Sequence, residues 1–183
     1  MKATGIVRRI DDLGRVVIPK EIRRTMRIRE GDPLEIYTDR EGEVIFKKYS
    51  PIGELTTFSA QYAETLHKVC ELSVIITDRD TVIAVSGLPK KEYMEKRISS
   101  ELEKIIEGRS MYVYESGGNK MLVTNDGRDS HYISCAMPII AEGDIIGCVV
   151  SMIPMEVDKT DKNDTETKLV QTAANFLSKQ LES

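Results

Sequence analysis

Residues 10–26 read IDDLGRVVIPKEIRRTM. A β-branched run from Arg15 to Ile18 stops at Pro19, and a helical pattern starts at once. Proline fixes φ and has no N–H to donate, so it suits the start of a helix. KEIRRTM (20–26) then sets Ile22 and Met26 four apart on one face, with Glu21 near the helix start. On the other side, DDLG (11–14) is a turn signal, and TGIVRRI (4–10) alternates as a strand does. The stretch predicts a small hairpin feeding a short helix, with Arg8, Arg9, Arg15, Arg23 and Arg24 arranged around it.

Beyond the helix, REGDP (29–33) turns the chain, and LEIYT (34–38) and EVIFKK (43–48) read as two alternating strands. DREG joins them as a hairpin, because Gly42 can take a positive φ. This first unit has about 50 residues and roughly a dozen large apolar side chains, at the margin of what folds alone. Residues 1–50 contain no cysteine. The remaining route to a core is association of two copies with interleaved strands, Leu34, Ile36, Val44 and Phe46 supplying the shared interior.

Pro51 and Gly53 in SPIGEL (50–55) mark a boundary, after which the pattern changes. Phe58, Tyr62, Leu66 and Val69 recur at helical spacing over 56–71. SVIITDRD (73–80) and TVIAVSG (81–87) follow as a strand pair, and KKEYMEKRISSELEKIIEG (90–108) reads as one long amphipathic helix closed by Gly108. MYVYE (111–115), KMLVT (120–124), HYISCAMPII (131–140) and IIGCVVSMI (145–153) are further strands. A final helix spans 163–181, with Asn163 and Glu166 as a capping box and Leu169, Ala173, Phe176, Leu177 and Leu181 as its apolar stripe. This order predicts an antiparallel sheet covered by helices, an α+β domain.

The formal net charge of −4 hides an asymmetry. Residues 1–50 carry 12 Lys/Arg against 9 Asp/Glu, while residues 51–183 carry 14 against 21. The excess concentrates in residues 1–29, with nine basic side chains against three acidic ones. That end is built to meet an anion. No apolar run reaches 18 residues and no signal-peptide core opens the chain, so a soluble cytoplasmic protein away from membranes is expected. Cys70, Cys135 and Cys148 are odd in number and lie among apolar residues, which predicts buried free thiols.

A catalytic reading finds little support. Neither His67 nor His131 sits in a nucleophile, base or metal context, and the Walker, GxSxG and HExxH patterns are absent. His131 and Cys135, four residues apart on one strand, would stand roughly 13 Å apart, too far to share an ion. His67 and Cys70 share a helix face but fall short of a tetrahedral set. The glycines of GGN (117–119) and DGRD (126–129) read as loop residues. No enzyme activity, cofactor or metal is expected.

The arginines point elsewhere. In an interleaved dimer the five become ten guanidinium groups, each able to form bidentate contacts with phosphate or with guanine O6 and N7. Double-stranded DNA is the matching surface.

At TGIVRRID, GRVVIPKEIRR, GDPLEIY and VIFKKY the first 50 residues resemble the swapped-hairpin DNA-binding domain of the AbrB transition-state regulators. The element order of 56–183 is similar to that of GAF domains. The resemblance implies an α+β chain with an intertwined, β-barrel-like AbrB-type dimerisation and DNA-binding domain at 1–53. It implies a GAF-like antiparallel sheet flanked by helices at 56–183, assembling homo-dimers into a homo-tetramer through the carboxy-terminal helices. It further implies a nucleoid-associated transcriptional activator and repressor of sporulation genes, acting in the forespore cytoplasm. On the family pattern the DNA contacts are Arg8, Arg15, Arg23 and Arg24, with Lys2 and Arg9 as helpers. Few base-reading side chains accompany them, so recognition is expected to rest on DNA shape, with a loose, A/T-rich preference.

Tyr112, Tyr114, Cys135 and Met137 are candidate lining for a small-molecule effector pocket. Two rival readings remain. The same hairpin occurs in antitoxins, which usually continue into a disordered acidic tail, and the second domain could be a ligand sensor or enzyme.

Overall fold

A computed structural model describes residues 5–126, 130–159 and 164–182. The chain divides into two compact units, Met1–Tyr49 and Ser50–Ser183.

In the first unit, α1 spans Lys20–Met26. Pro19 is its N-cap, and the Pro19 carbonyl accepts from the Arg23 N–H at 2.9 Å. Arg27 closes the helix in the left-handed region (φ 51°), and the Ile28 N–H reaches back to the Arg23 carbonyl at 2.8 Å. Strands β1 (Leu34–Thr38) and β2 (Val44–Lys48) pair antiparallel, from Leu34 opposite Lys48 to Thr38 opposite Val44. At their turn Gly42 has φ +87°, and the Asp39 carboxylate accepts from the Glu41 and Glu43 N–H groups.

The expected strands at 4–10 and 15–19 do not form within one chain: residues 5–10 and 15–19 carry no ladder. Only the Asp11–Gly14 turn survives, closed by Gly14 N–H to Asp11 C=O and Asp11 N–H to Arg15 C=O, each 3.0 Å. The reason is the missing interior. Among described residues 5–49, Pro19 alone is buried, while Val7 is 86% and Val17 72% exposed. A hairpin with nothing to pack on is marginal in water.

The second unit begins earlier than residue 56. Helix α2 (Pro51–Glu54) already belongs to it, since Ile52 is fully buried in its core, and α3 (Thr56–Cys70) follows. Strands β3 (Ser73–Asp78) and β4 (Val82–Ser86) form a hairpin, then come α4 (Lys90–Tyr93), α5 (Ser100–Glu107) and the two-residue β5 (Tyr112–Val113). Two long strands, β6 (His131–Ala141) and β7 (Asp144–Pro154), precede α6 (Asp164–Leu181). The sheet order is β4-β3-β7-β6-β5, antiparallel throughout. At its centre the strands approach closely: a Cβ on Gly147 would lie 2.0 Å from the Thr77 carbonyl oxygen.

Both sheet faces are covered, which is why the strands read as near-continuous apolar runs. One face packs Val74, Ile76, Cys135 and Val149 against Leu66 of α3 and Val170, Ala173 and Leu177 of α6. The other packs Ile75, Ile133, Cys148 and Val150 against Leu102 and Ile106 of α5 and against Tyr93 and Ile98.

Three expectations need correction. The helix expected over 90–108 is two helices, broken because residues 95–98 pair with the β4 edge instead: Glu95 N–H to Val82 C=O, Val82 N–H to Lys96 C=O and Ile98 N–H to Asp80 C=O. Ser99 restarts it, accepting from the Leu102 N–H at 3.0 Å. KMLVT (120–124) is no strand and makes one isolated bridge, Thr124 to Ile98, while MYVYE shrinks to Tyr112–Val113. Glu166 is drawn into an ion pair with Lys159, as described below, and Asn163 of the expected capping box lies outside the described residues, as does part of DGRD.

All three thiols are free; Cys135 and Cys148 are fully buried and Cys70 is half-buried. Burial, with a contribution from Glu166, pushes Cys135 up to about 12, and burial pushes Cys148 up as well. The attacking species toward disulfide reagents is the thiolate. Ellman's reagent should therefore label Cys70 alone in the native protein at neutral pH, the other two reacting on unfolding. Simultaneous reaction of all three would contradict this packing.

Candidate nucleic-acid interface

The cations of the first unit are held in different ways. Lys48 is tied inward: its ammonium donates to the Arg27 carbonyl at 3.1 Å and lies 3.8 Å from Asp32, whose carboxylate also accepts from the Arg29 backbone N–H at 2.8 Å. This cluster fixes the carboxy-terminal end of α1 against β2. Arg8, Arg9, Arg23 and Arg24 are exposed, and among the described residues none is drawn into an ion pair. Arg23 and Arg24 sit together in the last turn of α1. Lys2 lies outside the described residues.

Arg15 is held differently. Its guanidinium Nε donates to Asp11 Oδ2 at 2.8 Å, while Asp11 Oδ1 accepts from the Leu13 and Arg15 N–H groups at 3.0 and 2.7 Å. The Arg15 N–H and then its guanidinium hold the Asp11 carboxyl below its ordinary value. The Arg15 side chain is still 70% exposed. Sequence reasoning passed over Asp11; its signal was the four-residue spacing to Arg15 across a Gly14 turn.

The four residues expected to line a pocket do not converge. Tyr112 pairs with Ala136 and packs on the α5 face, whereas Cys135 and Met137 lie on the α3/α6 face. Tyr114 is buried, with its ring edge-on to Tyr132 at 4.8 Å and its hydroxyl donating to Asp158 at 3.1 Å. Burial and then that bond push its phenol up. A groove of about 620 Å³ opens elsewhere, between α3 and β4, lined by Gln61, Glu64, His67, Lys68, Val85 and Lys90 among others. Among the described residues no group of three or more His, Cys, Asp or Glu could hold a metal ion, and no helix is long and apolar enough to cross a membrane.

Residues 54–182 match the family described as stage V sporulation protein T C-terminal, transcription factor, and residues 7–53 match antidote-toxin recognition MazE, bacterial antitoxin. The chain is 39% identical over 103 residues to the transition state regulatory protein AbrB of Bacillus subtilis, spanning 56% of this chain and 91% of that protein. The GAF domain of a phosphoenolpyruvate-protein phosphotransferase from Coxiella burnetii aligns at a TM-score of 0.53 with 16% identity, covering 69% of this chain and 82% of that one. An AbrB-type first unit and a GAF-fold second unit define a two-part transcription regulator. It is 54% identical to stage V sporulation protein T of Bacillus subtilis over 182 residues, which is 100% of this chain and 99% of that protein. The chain belongs to the stage V sporulation protein T family.

Proposed function

We propose that this sporulation transcription regulator binds double-stranded DNA through Arg8, Arg15, Arg23 and Arg24 of an intertwined amino-terminal dimer, with Lys2 and Arg9 assisting. One observation carries the reading: these arginines stand exposed on a unit whose described residues bury no apolar core of their own. The exposed Val7, Ile10, Val16, Val17, Ile36, Val44 and Phe46 are the surface a second copy would cover. DNA binding is assigned to residues 1–53. The protein acts on sporulation genes as activator and repressor, associated with the nucleoid in the forespore cytoplasm, with a loose, A/T-rich preference set by DNA shape. Electrophoretic retardation of a duplex by the full chain, lost in Arg23→Ala with secondary structure retained, tests this; retained binding at moderate salt would refute it.

Residues 56–183 take the regulatory role, joining dimers into a tetramer and answering a small-molecule effector. An aromatic seam supports the assembly: Phe176 of α6 stacks on Phe58 and Tyr62 of α3 at 5.6 and 5.4 Å and stays 37% exposed. Phe176→Glu should convert a tetramer to dimers by light scattering, whereas an unchanged mass would remove the seam from the interface. The antitoxin reading fits less well, since the second unit is folded over both sheet faces rather than an acidic tail.

A further inference from the structure

We propose that Asp11 is the positioning residue that aims Arg15 at guanine, adding one base-specific contact per protomer to a site otherwise read by DNA shape, and so sets how well the protein tells one such site from another. The inference rests on the DNA-binding reading above and adds a role that an acidic residue in a basic patch would not suggest. An aspartate beside a phosphate-binding surface repels the polyanion, so its presence there needs a reason.

The geometry supplies one. Asp11 uses its two oxygens for separate tasks. Oδ1 takes the N–H groups of Leu13 and Arg15 and so builds the turn that carries Arg15. Oδ2 takes Nε of the same arginine, four residues on, at 2.8 Å. The guanidinium is thereby grasped by its inner edge. Its two terminal nitrogens have no partner among the described residues and remain at the exposed end of a side chain that is 70% accessible. Those nitrogens carry the parallel N–H pair that matches two acceptors side by side, as guanine O6 and N7 are in the major groove. An unrestrained arginine loses rotamer freedom when it binds, whereas one already pinned at Nε has lost most of it beforehand. Arg8, Arg9, Arg23 and Arg24 have no such brace among the described residues, which suits phosphate contacts that carry no sequence information.

Phosphate oxygens are also paired acceptors, so the test must separate the two. A duplex selected from a random pool by the wild-type full-length protein, a scrambled duplex of equal composition, and the selected duplex with 7-deazaguanine in place of guanine serve as probes. Asp11→Asn keeps an Oδ1 acceptor for the turn but presents an amide N–H₂ to Nε, donor against donor, and so frees the arginine without unmaking the loop. With one Arg15 per protomer released, the preference for the selected over the scrambled duplex should fall about tenfold, binding to the scrambled duplex staying level or tightening as a negative charge is lost. The 7-deaza duplex should cost the wild type a similar factor and cost Asp11→Asn nothing further. Equal weakening on all three duplexes would make Arg15 a phosphate clamp and overturn the proposal. So would undiminished discrimination in Asp11→Asn while Arg15→Ala still loses binding. Wild-type protein that binds no duplex would remove the DNA reading and this one together, whereas the two preceding outcomes remove this one alone. Should Asp11→Asn fail to fold, the wild-type Arg15 Nε–H signal in ¹⁵N NMR decides: slow solvent exchange supports the brace, and exchange as fast as at Arg23 overturns it.

Discussion

Lys159→Ala is expected to destabilise the second unit by about 3–5 kcal/mol at neutral pH, the usual effect of stranding one half of a buried ion pair. The Lys159 ammonium lies 2.6 Å from Glu166 and 2.7 Å from the Ser134 hydroxyl, with the two side chains only 8% and 4% exposed. Burial by itself would raise the Glu166 carboxyl, but hydrogen bonds from Lys159, Ser151 and Ser134 outweigh it and hold the carboxyl below its ordinary value. A carboxyl depressed in the folded state contributes stability above its unfolded value, and that stability is lost as pH falls through the folded value. Without Lys159 the sign reverses. The stranded carboxyl is raised, so the deficit of the variant is largest at neutral pH and shrinks on acidification. Urea unfolding of the full chain across pH measures both. The paired replacement Lys159→Met with Glu166→Leu should lie close to wild type, because exchanging a buried ion pair for apolar packing is often neutral. A deficit below about 1 kcal/mol in Lys159→Ala would show the pair to be worth no more than an exposed one.

The second large effect concerns the proposed DNA interface. Arg15→Ala or Arg23→Ala removes two guanidinium groups from each proposed dimer. A hydrogen bond to a charged group contributes about 1.5–3 kcal/mol, so losing two should weaken duplex binding about 10²- to 10⁴-fold. Both side chains are exposed, and neither variant should change the circular dichroism spectrum or the melting temperature appreciably. Lys179→Ala, an exposed cation on α6, is the control and should leave binding unchanged. Loss of affinity no larger than the control's would mean that the basic excess of residues 1–29 is a solvated face.

How much of this could be read beforehand depended on whether the deciding interaction was local. Helix α1, strands β1, β3, β4, β6 and β7 and the Gly42 turn were legible because turn residues and alternation mark them in the sequence itself. The break at 94–99 was not. MEKRIS continues a helical pattern, and what overrides it is distant in sequence: the backbone of residues 80–82 claims the hydrogen bonds of 95–98, and Glu95 takes φ 61° to allow it. The strands at 4–10 and 15–19 have the right pattern without a partner within the chain, so alternation announced a surface to be covered rather than a ladder already made. At the proposed interface, arginine density was visible in composition alone, while the contact from Asp11 to Arg15 needed the turn to be built first. The supposed pocket failed on register. Pairing Tyr112 with Ala136 and Val113 with Cys135 sends Tyr112 to one face and Cys135 to the other, and no count along a single strand discloses that.

The salt dependence of duplex binding by the full-length protein tests the central claim most directly. Two copies gripping about six phosphates predict that log K falls against log salt with a slope near −5, at about −0.9 per contact. A slope near zero, with affinity indifferent to salt, would contradict a grip made of guanidinium groups.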